Sequence, residues 1–121
     1  MSDQKREQGM AIRRAVLGDA YVDRAEASRS PLTEDFQDLL TRYAWGEIWA
    51  RPGLDRRTRS CITVAMLVAL GQTDELKVHL RGAVNNGVTF DELKEVLLQS
   101  AIYCGIPAAN TAFRIAAEIL K

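Results

Sequence analysis

The chain has 121 residues, with sixteen basic and sixteen acidic side chains and a formal net charge of zero. That length suits one compact domain, residues 1–121, and the balanced charge argues against a nucleic-acid partner, whose binding rests on phosphate neutralisation. The most apolar run, Cys61 to Leu70, spans ten residues, far short of the roughly 20 a helix needs to cross a bilayer. The opening stretch Met1 to Glu7 lacks the apolar core of a signal peptide, so a cytoplasmic protein is expected.

Nearly every segment reads as helix. The first runs from about Gln4 to Arg29, with Ile12, Ala15, Val16 and Ala20 on one face, although Gly9 and Gly18 are poor helix formers. Ser30-Pro31 breaks the chain. Thr33 then caps a second helix to about Trp49, whose apolar stripe is Phe36, Leu39, Leu40 and Tyr43. After the Pro52-Gly53 turn, Asp55 caps a third helix that carries Ile62 to Leu70 and stops at Gly71. Thr73 caps a fourth that ends at Gly87, with Asp74 and Glu75 suited to its N-terminal dipole. Thr89-Phe90-Asp91-Glu92 is a capping box with Val88 and Leu93 as its staple. The fifth helix runs to Cys104, and Pro107 opens a sixth that reaches the C-terminus. The fold class is all-α, a bundle of about six helices joined by short connections.

Few residues carry obvious chemistry. Glu47 falls on the stripe Phe36, Leu40, Tyr43, Glu47, Ala50, and a carboxylate facing a core needs a reason. A salt bridge to Arg51 at i+4 is the plain alternative. His79 is the one histidine in the sequence. On the flank of its helix stripe it is either a structural residue or a proton donor or acceptor near neutral pH. Trp45 and Trp49 bracket Glu47, as pocket walls or as core and interface residues. Twelve of the sixteen basic residues are arginine, whose bidentate fork suits a carboxylate substrate and equally suits ion pairs between subunits. Cys61 and Cys104 form no CxxC and read as small buried side chains, and two cysteines with one histidine offer no zinc-site spacing. Phosphate-binding and dinucleotide-binding glycine motifs and a nucleophile elbow are likewise missing from the sequence.

Several longer blocks resemble the γ-carboxymuconolactone decarboxylases. The first is Arg42-Tyr43-Ala44-Trp45-Gly46-Glu47-Ile48-Trp49-Ala50-Arg51-Pro52-Gly53-Leu54, followed by Asp55 to Ser60 and Ala65-Met66-Leu67. Others are His79-Leu80-Arg81-Gly82-Ala83, Asn86-Gly87-Val88-Thr89, Ala101 to Ala109 and, near the start, Arg14 to Ala25. Roughly the first dozen residues lie outside the resemblance, as an N-terminal extension. The resemblance implies the helical fold of the alkyl hydroperoxidase D proteins, a homo-oligomer (typically a hexameric ring), and no cofactor or metal. It implies decarboxylation of the lactone to 3-oxoadipate enol-lactone in protocatechuate breakdown. The peroxidase branch carries a CxxC ahead of the histidine, and those two positions here hold Gln72 and Glu75, which removes dithiol chemistry.

On that resemblance, His79 stabilises the oxyanion or delivers the proton, and Glu47 orients it or shares the transfer. Arg51 and then Arg81 anchor a substrate carboxylate, and Trp45, Trp49 and Tyr103 wall the pocket. The rival readings are a related decarboxylase-like or antioxidant protein with another substrate, and a non-catalytic helical interaction module.

Overall fold

The computed structural model describes residues 3–121, so Met1 and Ser2 of the expected leader-free start lie outside the described residues. Among the described residues every regular element is helical. Chain contacts divide the molecule into two compact units, Met1–Leu54 and Asp55–Lys121.

In the first unit the expected long helix is two. Helix α1 (Gln4–Leu17) ends where Gly18 takes φ 91° and ψ 146°, and α2 (Asp19–Ala27) starts anew. That φ suits a residue with no Cβ. The split makes seven α-helices among the described residues where six were expected. It also corrects the expected face: Ile12 and Val16 are buried, whereas Ala15 and Ala20 are exposed.

Helix α3 (Glu34–Leu40) continues without a break into a π-helical segment, Thr41–Ile48. Thr33 does not cap α3 through its side chain; its hydroxyl instead accepts the Ser30 N–H at 3.0 Å and closes the preceding turn. At the junction the Thr41 hydroxyl donates back to the Gln37 carbonyl at 2.8 Å. At the far end the Trp49 N–H reaches the Ala44 carbonyl at 2.9 Å, a bond across five residues.

The wider turn changes which side chains face inward: Thr41, Trp45 and Gly46 are buried, while Tyr43 and Glu47 of the expected stripe are exposed. Phe36 and Leu39, on the α-helical α3, are exposed as well, so the stripe expected there is not a core face. Ile12, Val16 and Trp45 form the small core, with Leu17, Leu40, Ala44, Trp49 and Ala50 packed against it.

Two glycines let α1 and the π-helical segment touch backbone to backbone. A methyl group on Gly9 would collide with the Thr41 carbonyl oxygen and come within 2.8 Å of the Gly46 nitrogen. A methyl on Gly46 would collide with the Lys5 carbonyl oxygen. Gly9, a weak point for a helix in isolation, is thus required by packing. Around this contact Asp38 binds both Arg6 (3.1 Å) and Arg29 (2.7 Å), and Arg29 also reaches Glu26.

The second unit contains α4 (Arg56–Leu70), α5 (Thr73–Asn85), α6 (Phe90–Cys104) and α7 (Ile106–Ile119). Most of its expected punctuation holds. Asp55 accepts the Thr58 N–H at 2.7 Å, and Gly71 ends α4 with a left-handed φ of 67°. Thr89 and Glu92 complete the reciprocal capping box. Thr73 is corrected from cap to first helical residue, because Gln72 occupies the cap position.

Eleven buried residues, from Val64 and Val68 through Leu76, Leu80, Leu93 and Leu97 to Ile115 and Ala116, form one core. Val88 and Leu93 both belong to it, as a hydrophobic staple requires. Cys61 and Cys104 are free thiols, partly rather than fully buried, packed against this core.

Candidate active site

Trp45, Glu47, Trp49 and Arg51 sit on the first unit, and His79, Arg81 and Tyr103 sit on the second. Trp45 and Trp49, four residues apart, stack with ring centroids 5.0 Å apart and an interplanar angle of 28°. Trp45 is a core residue and Trp49 packs on its edge.

Glu47 is not on the core face. The π-helical register rotates it outward, half-exposed, and its Oε1 forms an ion pair with Lys5 Nζ at 3.3 Å. The plain reading of a salt bridge was right in kind, although α-helical spacing suggested Arg51 as the partner. Arg51 itself is exposed, just past the end of the segment. Lys5 is the residue that sequence reasoning missed. Forty-two positions separate it from Glu47, and the available hint was the pair of glycines, one on each helix.

His79 lies on α5 between Leu76 and Leu80, two of the most deeply buried side chains in the second core. Desolvation pushes the imidazole down to about 4, so the ring is neutral at physiological pH. A neutral imidazole carries one N–H donor and one nitrogen acceptor, which suits both an oxyanion contact and a proton relay. Arg81, two residues on, lies on the exposed side of α5. Tyr103 is 81% exposed near the end of α6 and walls nothing within its own unit.

The N-terminal ends of α4 and α6 are tied by Arg57, which donates to the Gly87 carbonyl at 3.1 Å and pairs with Glu92. That guanidinium, with the Thr89 N–H, holds the Glu92 carboxyl down at about 2. Asp55, beside the Arg56-Arg57-Thr58-Arg59 run, accepts the Thr58 N–H as the cap of α4. Asn86 reaches the fully buried Ser60 hydroxyl at 2.9 Å.

Two hollows of about 210 Å³ each open in the second unit. One is lined by Phe90, Lys94, Leu97 and Phe113 and is almost wholly apolar. The other, lined by Leu67, Thr73, Ala108 and Thr111, has a mixed surface. Neither lining includes His79, Arg81 or Tyr103. Among the described residues no helix is long and apolar enough to cross a membrane.

The model of the carboxymuconolactone decarboxylase family matches residues 34–118. The chain belongs to this family. By family it is therefore a carboxy-lyase. The matched span takes in α3, the π-helical segment, His79 and α4 to α7 except the last residue of α7, so it reaches into both units. The 4-carboxymuconolactone decarboxylase of Acinetobacter baylyi is 49% identical, over 100% of this chain and 91% of the relative. The nitrosuccinic acid decarboxylase of Metarhizium robertsii is 40% identical, over 95% of the chain and 80% of the relative. A 4-carboxymuconolactone decarboxylase of Pseudomonas putida is 46% identical over 36% of the chain and 92% of its own length.

Proposed function

We propose that this carboxymuconolactone decarboxylase family protein converts γ-carboxymuconolactone to 3-oxoadipate enol-lactone and carbon dioxide, in the cytoplasmic breakdown of protocatechuate. The observation that carries this reading is the 49% identity, over the whole chain, to a relative named for that activity.

The chemistry is self-contained. The bond between the ring carbon and its carboxylate breaks, and the electron pair moves through the ring double bond onto the lactone carbonyl. The resulting furanolate takes one proton at the carbon next to that carbonyl, which gives the enol-lactone. An electron sink inside the substrate makes a cofactor unnecessary for the step. The protein's part is to hold the carboxylates, stabilise the oxyanion and move one proton to carbon.

His79 is assigned to the oxyanion or the proton, and its neutral, desolvated ring supports that role. A neutral donor stabilises a developing negative charge without holding the substrate carboxylate as a tight ion pair in the ground state. Glu47 takes part in the proton transfer, and Arg51 and Arg81 bind carboxylates. Trp45 and Trp49 exclude water from the departing group.

The protein works as a homo-oligomer, proposed as a hexamer. The exposed side chains Ile102, Tyr103 and Ile106 favour this reading. Large apolar residues grouped on a surface mark contact sites, and Tyr103 becomes a pocket wall once a second copy covers it.

The test is direct: purified protein is mixed with freshly generated lactone, and enol-lactone and carbon dioxide are followed. Turnover is expected, and His79→Gln should lower kcat by about 100-fold or more with folding intact. A folded sample inert on the lactone would send the assignment to the second reading. That reading is a decarboxylase acting on nitrosuccinic acid, favoured by the 40% identity to the fungal enzyme. Its nitro group is also an acceptor next to the carboxylate that departs, so the same two substrates in competition separate the readings.

A further inference from the structure

We infer that Lys5 is a positioning residue for Glu47, acting through the carboxylate on the proton-transfer step. This rests on the proposed role of Glu47 in decarboxylation. Three features of the first unit combine to support it.

The π-helical register turns Glu47 away from the face that α-periodicity would bury, and directs it to the α1 side of the segment. The base of Lys5 is fixed there by backbone rather than by its own charge. Its carbonyl group lies so close to Gly46, the residue before Glu47, that a single methyl group on Gly46 would collide with it. The ammonium and carboxylate are therefore launched from neighbouring backbone points and meet at 3.3 Å, with side chains 61% and 50% exposed.

An ion pair this open to water adds little to stability. Its effect is orientational. One carboxylate oxygen, Oε1, is held by the ammonium, and this fixes the direction of the second oxygen, the atom free to face a proton partner by the geometry of a carboxylate. Trp45, stacked on Trp49, packs the same segment against Ile12 and Val16 of α1. The features that hold Glu47 thus come from α1, a part of the chain ahead of the 34–118 span matched by the family model.

The experiment compares Lys5→Met, Lys5→Arg, Glu47→Gln and the double variant Lys5→Met/Glu47→Gln in lactone turnover, alongside thermal unfolding. Lys5→Met should lower kcat by roughly five- to tenfold with KM nearly unchanged, and its effect should vanish in the Glu47→Gln background, as coupled residues require. Lys5→Arg should restore most of the rate, and the unfolding midpoint should stay put in all four. Wild-type kcat in Lys5→Met, or equal losses in both backgrounds, would overturn the inference while leaving Glu47 in place. A fully active Glu47→Gln would remove the role of Glu47 and the inference with it.

Discussion

The two units solve the problem of holding helices together in different ways. The second buries a continuous set of Leu, Val, Ile and Ala side chains between four helices. The first has a small cluster of Ile12, Val16 and Trp45, and brings α1 against the π-helical segment through two glycines at backbone distance. Side-chain burial scales with area and tolerates some repacking. Backbone contact does not, because neither partner can rotate away. The residue that matters most in the first unit is therefore the smallest one, whereas in the second it is a leucine.

The largest expected loss is in the second unit. Leu80 is fully buried, so Leu80→Ala should cost about 2–5 kcal/mol, the range for a leucine removed from a packed core. Amide hydrogen exchange should show this in α4 to α7 in particular; protection unchanged there would show that the eleven-residue cluster is not what holds those helices.

Acid should also act on the second unit. The His79 ring titrates near 6.5 when unfolded and at about 4 when folded. Between those values the unfolded chain binds the proton and the folded chain does not, so stability falls as pH drops from 6.5 towards 4. The loss should reach on the order of 3 kcal/mol. Below that window Glu92 continues the trend, because its folded carboxyl is held at about 2 and its stabilising pair with Arg57 is lost on protonation. A denaturation series across pH in wild type and His79→Gln checks the sign: the variant should be flatter from 6.5 to 4. An equal slope in both would assign the acid sensitivity elsewhere.

In the first unit, Gly46→Ala should destabilise by about 1–3 kcal/mol through overpacking, although the same change in an exposed helix stabilises by roughly 0.5–1 kcal/mol. A melting temperature raised by Gly46→Ala would dissolve the contrast between the units. The smallest effect should come from Arg42→Gln. It removes an exposed pair with Asp3 at 2.9 Å and should cost no more than about 1 kcal/mol, less in high salt.

Much of the second unit is legible in the sequence because its signals are local. Asp55, Gly71 and the Thr89–Glu92 box each act within four residues of where they stand, and the structure uses them as read. The misplacing of Tyr43 and Glu47 has one cause: a period of 3.6 residues does not hold across a stretch with a wider turn. No local residue type announces a π-helical register. Its stability comes from α1, far away in sequence. For the same reason Lys5 was invisible: proximity created by two glycines has no periodic signature. The neutral state of His79 is half legible, since a place on the flank of the helix stripe does not fix how deeply the ring is buried.

A π-helical turn behaves as an α-helix carrying one surplus residue, and π-bulges often stand at functional sites. Deleting a single residue between Thr41 and Gly46 would therefore let the ladder close as an ordinary α-helix, at no cost in hydrogen bonds. The turns on either side would keep their relative phase, because the wider turn exists to absorb the surplus residue; only the residues within the segment would be re-spaced, at about 100° per residue. The helix would survive the excision, but Thr41 and Gly46, the two backbone points that meet Gly9, would be four residues apart instead of five. In this chain a one-residue gap alters the seat of α1 while leaving the helix whole.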